Sequence, residues 1–74
     1  MNGEEVRRIR EKLDLSREDL ADLFCLAGYR TMMNIETDFR KPAKLAIRLL
    51  RYLDSLSKQK ALAHIEELKR HAPK

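Results

Sequence analysis

The chain has 74 residues, enough for one small domain with little apolar surface to bury, a shortage that pairing with a second copy would ease. Its 16 Lys and Arg against 12 Asp and Glu leave a formal charge of +4, which suits a polyanionic partner but is weak evidence alone, because the two signs are interspersed. The single cysteine, Cys25, excludes an intrachain disulfide. Neither a secretory leader nor a membrane-spanning run is read here, so the cytoplasm is the expected location and no membrane partner is expected.

Apolar residues recur at helical spacing and nothing alternates at period two for long, so the expected fold is all-α: a compact bundle of about five helices in a single domain, 1–74. The first helix is expected over Glu4 to Leu13, with Val6, Ile9 and Leu13 on one face and Arg10 on the same stripe. Ser16 suits an N-cap, and Asp19 three residues later makes an acidic capping box that opens a second helix, about Arg17 to Phe24. Its buried side is expected to be Leu20, Ala21 and Phe24, with the small Ala21 admitting a close neighbour. Cys25 to Gly28 makes the turn, and Cys25 reads as a small apolar residue beside it.

A third helix is expected from near Tyr29 to near Thr37, with Met32 and Ile35 inward and Arg30, Met33 and Asn34 outward. Thr37 and Asp38 suit its exit, since Asp tolerates the left-handed conformation. Pro42 suits the first turn of a fourth helix, whose apolar stripe is Leu45, Leu49, Leu50 and Leu53, with Arg48 and Arg51 on the outer face. No Gly or Pro interrupts Ala43 to His71, which allows one long helix, but Asp54, Ser55 and Ser57 are able N-caps and favour a break near 55 to 57. A fifth helix, within 57–71, then carries Ala61, Leu62, Ile65 and Leu68. This strip either closes the core or pairs with a second copy, and Leu62, Ile65 and Leu68 are the candidate dimer contacts. His64 and His71 lack the further ligands that a metal would need, so no metal and no cofactor is expected. Glu4, Glu5, Glu66 and Glu67 read as solubilising surface charge.

Leu15 through Glu36 thus reads as two short helices joined by a tight turn carrying a Gly, the pattern of a helix-turn-helix that sets its second helix in the major groove of DNA. Around it, IREKLDLSREDLA holds Arg10, Leu15, Ser16, Leu20 and Ala21, and Thr31, Met32, Met33, Asn34, Ile35 and Glu36 follow at fixed spacing before Pro42. Over residues 4–56 this resembles the phage-repressor and Cro family of helix-turn-helix regulators, often called XRE-like, which are lambda-repressor-like DNA-binding domains. Four departures stand out: Arg17 replaces a Gln, the turn at Cys25 to Gly28 is about one residue longer, Asp38 stands where a Gly is usual, and Met33 stands where a small polar residue is usual. The resemblance implies an ion bridge between Arg10 and Glu36.

The same positions carry a physical reading. Arg30 can pair in bidentate fashion with a guanine edge and Asn34 with adenine, while Met33 and Tyr29 offer contact to a thymine methyl. Ser16 and Arg17 at the start of the second helix, Thr31, and Arg40, Lys41 and Lys44 beyond the third are the candidate phosphate contacts. In an arbitrary small basic helical protein those cations would read as solvated surface, and the helix-turn-helix pattern reverses that reading. One such helix spans few base pairs, so a homodimer on a palindromic operator, acting as a repressor, is the expected form. The alternative is a protein-interaction module on the same scaffold, such as an antitoxin, itself autoregulatory or not, or an inhibitor of another protein. With no nucleophile beside a base, no phosphate loop and no zinc spacing, an enzyme is not expected.

Overall fold

The computed structural model describes residues 1–72 as five helices in chain order: α1 (Gly3–Lys12), α2 (Arg17–Leu23), α3 (Tyr29–Glu36), α4 (Lys44–Ser55) and α5 (Lys58–Arg70). No strand occurs among these residues, and Pro73 and Lys74, the end of the expected 1–74 domain, lie outside them. The helices gather around one core of Val6, Ile9, Leu13, Leu20, Ala21, Met32, Ile35, Leu50, Leu53, Ala61 and Ile65. The resulting body measures 30 × 29 × 20 Å. No helix among the described residues is long and apolar enough to cross a membrane.

Side-chain caps open α1, α2 and α5. The Asn2 side chain accepts the Glu5 N–H at 2.9 Å and opens α1. At α2 the expected capping box is complete: Ser16 Oγ accepts the Asp19 N–H at 3.0 Å and Asp19 Oδ2 accepts the Ser16 N–H at 3.2 Å. Ser57 accepts the Lys60 N–H and opens α5, so the chain does break between α4 and α5, with Leu56 extended between them. Pro42 does not sit in the first turn of α4 as expected. The N-cap of a helix is an extended residue, Ala43 takes that role with φ −63° and ψ 152°, and Pro42 falls one residue outside.

The helix ends use one device three times. After α1, α2 and α3 the chain turns through Asp14, Cys25 and Asp38 with φ of 55°, 57° and 66°. Each time the amide of the next residue reaches back to a helix carbonyl: Leu15 to Arg10 at 3.1 Å, Leu26 to Ala21 at 2.9 Å and Phe39 to Asn34 at 2.9 Å. These are Schellman motifs with a side chain where glycine is usual. Cys25 is therefore an exposed cap residue and not an apolar residue set beside the turn, and Phe24 is half-buried at the cap of α2. Gly28 instead serves at the start of α3, where its φ of 147° and ψ of −162° belong to a region open essentially to glycine alone.

Two apolar expectations change. Leu45 is 66% exposed, because at 100° per residue it lies about 140° around α4 from Leu50, beyond the edge of the buried stripe. Ala46 and Ile47 are half-buried in its place. Ile65, expected at a dimer surface, is 2% exposed and belongs to the chain's own core; Leu62 is half-buried against that core and only Leu68, at 38%, is exposed.

Contacts far apart in sequence fix the helices against each other. On α4, Asp54 accepts from Arg8 Nη2 and Lys12 Nζ of α1, both at 3.0 Å, and Lys58 at the start of α5 pairs with Asp14. The start of α1 meets the end of α3, where the Gly3 N–H donates to Asp38 Oδ1 at 2.8 Å. Here α1 approaches so closely that a β-carbon on Gly3 would lie 2.3 Å from the Glu36 carbonyl oxygen. In an open helix Gly→Ala would gain about 1 kcal/mol, but backbone overlap of this size outweighs that gain. Gly3→Ala is expected to cost about 1–3 kcal/mol net and to lower the Tm by at least about 4 °C in a circular-dichroism melt.

Hydrogen bonds from Arg8 and then Lys12 hold the Asp54 carboxyl below the usual carboxylate range. A depressed folded value means stability that is present above the unfolded carboxyl value, about pH 4, and is lost as the pH falls through the folded value. Urea unfolding between pH 6 and pH 2.5 should therefore show a steeper acid loss for the wild type than for Asp54→Asn. Parallel curves would contradict the assignment.

Candidate nucleic-acid interface

Glu36, on the last turn of α3, is the buried charge around which the candidate residues are arranged. Its side chain is 2% exposed. Arg10 of α1 donates to it twice, Nε to Oε2 at 2.9 Å and Nη2 to Oε1 at 3.2 Å, while Arg10 Nη1 donates to the Leu15 carbonyl at 2.9 Å. The expected bridge is present, and it also reaches the α1–α2 link. The fork geometry of a guanidinium against a carboxylate fixes orientation as well as distance, so α3 is held in one pose against α1.

Arg17 was expected at a phosphate and instead joins the same carboxylate, with Nε 3.3 Å from Glu36 Oε1. Its guanidinium lies 5.6 Å from the centre of the Tyr29 ring, and Nη1 donates to Tyr29 Oη at 3.4 Å. The start of α2 is thereby joined to both ends of α3. Arg17 stands where the resembled pattern has Gln, and that substitution was the one sequence sign of a second cation at Glu36. Ser16 is also engaged: its hydroxyl oxygen and backbone amide are both used with Asp19, whose carboxyl is lowered chiefly by the Ser16 backbone N–H. A phosphate at the start of α2 would face that carboxylate, leaving Ser16 only its hydroxyl proton to offer.

On the outward side of α3 the side chains of Arg30, Met33 and Asn34 are free of such ties among the described residues. Arg30 is exposed, Tyr29 is 44% exposed, and Thr31, Met33 and Asn34 are half-buried, while Met32 is fully buried as expected. Arg30, Met33 and Asn34 share one face at spacings of three and four residues. The backbone then folds back, with the Phe39 and Arg40 amides both donating to the Asn34 carbonyl, at 2.9 and 3.1 Å. This turn carries Arg40 alongside the last turn of α3, with Lys41 following. Lys44 opens α4, and no hydrogen bond ties it to α3 among the described residues. Arg40, Lys41 and Lys44 are exposed.

Arg7, Arg8, Arg10, Lys12, Arg17, Lys58, Lys69 and Arg70 each meet a carboxylate. Among the described residues Arg30, Arg40, Lys41 and Lys44 meet none, and neither do Arg48, Arg51 and Lys60. Of the expected dimer contacts only Leu68 reaches the surface, one turn beyond His64, whose ring packs edge-on against Tyr52 with centroids 5.5 Å apart. His71 lies 3.5 Å from Glu67.

Comparison with family models, with curated protein sequences and with solved structures found no match to this chain.

Removing one partner from a buried ion pair leaves the other charged and desolvated, at about 3–5 kcal/mol. Because Arg17 remains beside Glu36, Arg10→Met is expected to cost about 3 kcal/mol, the low end of that range, and Arg17→Met, at a more solvated position, about 1 kcal/mol. Chemical denaturation of the two variants checks the order. An Arg10→Met transition that coincides with wild type would sink the clamp.

Proposed function

We propose that α2 and α3 form a helix-turn-helix and that the chain is a sequence-specific DNA-binding regulator, a repressor that reads the major groove with α3. The observation that carries this reading is the contrast between a buried, doubly anchored Glu36 and an outward α3 face whose Arg30 has no carboxylate partner among the described residues. A rigid pose lets a recognition helix present side chains in register with base edges, and an unpaired Arg is free for a guanine. Arg30 and Asn34 are assigned to bases, Met33 and Tyr29 to thymine methyls, and Thr31, Arg40, Lys41 and Lys44 to phosphates. Arg17 contributes chiefly by holding Tyr29 and Glu36.

Two copies on a palindrome suit the size of the molecule. Half-sites one helical turn apart are separated by about 34 Å, and the backbone extends 30 Å at its longest, so two copies on one face of a duplex would lie in contact with each other. With Ile65 buried, the dimer surface in this reading is the Tyr52, His64 and Leu68 patch of α4 and α5. Phe39, 86% exposed directly after α3, favours a second reading in which the same end of the molecule meets a protein, as in an antitoxin.

Selection of duplexes from a random library, followed by titration at several salt concentrations, tests the first reading. Arg30→Ala should lose about 1–3 kcal/mol of discrimination at one base pair, whereas Lys41→Ala should weaken all sequences alike and reduce the salt slope by about 1. Equal affinity for selected and random duplex would defeat it.

A further inference from the structure

An apolar groove of about 250 Å³ opens between the first half of α4 and the connector from α2 to α3. Leu23, Leu26, Pro42, Leu45, Ala46 and Leu49 are among its walls, and no Asp or Glu is. Arg40 and Lys41 line it too, and their exposure puts their charges at its solvent side. On α1, α2 and α5, by contrast, eight of the cations already meet carboxylates. Neither Arg40 nor Lys41 has such a partner among the described residues. Leu45, 66% exposed, supplies an apolar wall left in contact with water.

We propose that this groove binds a small amphiphilic carboxylate, a medium-chain fatty acid or a molecule of that build. An apolar tail would lie along Leu45, Leu49 and Leu26 and displace water from them, and the carboxylate would sit between Arg40 and Lys41, where charge-assisted hydrogen bonds are available. The volume is below the usual range of about 300–1,000 Å³ for ligand sites, which excludes large lipids, and the apolar walls exclude sugars and nucleotides. Walls that converge from three segments on one concavity suit a small molecule better than a partner helix, which seeks a long open channel. Arg40 and Lys41 are also phosphate contacts in the DNA reading, but the binding itself does not rest on that reading.

The lone thiol provides a direct readout, because Cys25 is exposed and lines the same groove. Calorimetric titration with octanoate, decanoate and dodecanoate, each below its micellar concentration, is run beside the rate of Cys25 alkylation by a maleimide. Binding is expected to saturate at one per chain and to tighten about fourfold for each added CH₂ until the tail fills the groove. Alkylation should slow along the same saturation curve. Decanol should bind about tenfold more weakly than decanoate, and the double variant Arg40→Gln/Lys41→Gln should abolish that difference. Ala46→Phe, which fills the groove, should prevent binding, and if it fails to fold the double variant, altered only at exposed positions, still decides. The proposal is overturned by an absence of saturable binding, by affinity indifferent to tail length and to the double variant, or by an acidic peptide protecting Cys25 where the fatty acids do not.

Discussion

Glu36 carries a charge in a place where a charge is costly, and the arrangement of three helices follows from how that cost is met. Stripping a carboxylate of water demands several kcal/mol, which only well-placed donors return. Arg10 gives two donors from α1 and Arg17 a third from α2, and all three require the last turn of α3 to lie in one place. Buried pairs of this kind contribute little net stability compared with apolar packing of the same volume. What this one supplies is position. A rotated α3 would leave Glu36 unpaired.

The close approach of Gly3 and the bond from its amide to Asp38 act on the same turn from the other side. The end of α3 is therefore held by α1 at two points, one ionic and one made of backbone fit. Its start is held through Tyr29 and Arg17. None of these contacts uses the side chains of Arg30, Met33 or Asn34 on the outward face of α3. Rigidity beneath this face comes from turning Arg10 and Arg17 inward onto Glu36.

Patterns within a few residues were legible in the sequence, because their physics is local. The Ser16 and Asp19 capping box, the Val6, Ile9 and Leu13 stripe and the break before Ser57 each depend on neighbours at most seven residues apart. The Arg10–Glu36 bridge spans 26 residues and was readable only through a resemblance over forty residues. Other features lay beyond reach for identifiable reasons. The Gly3–Asp38 and Arg8–Asp54 contacts depend on how helices pack, and nothing near either end announces the other. Ile65 and Leu45 are alike in composition, and their fates depend on a few tens of degrees around a helix axis that only tertiary packing sets. In the α2–α3 connector the visible Gly28 drew attention from Cys25, which makes the left-handed turn although its residue type seldom does.

The three left-handed caps have an energetic side as well. A side chain in that conformation costs roughly 1–2 kcal/mol, less for Asp, whose short polar group is tolerated there, than for Cys. Opening the α2–α3 connector relieves that cost at Cys25, and each 1.4 kcal/mol relieved raises the population of the opened form about tenfold. The joint between α2 and α3 consequently opens more readily than the turns at Asp14 and Asp38, and its amide protons exchange sooner than theirs.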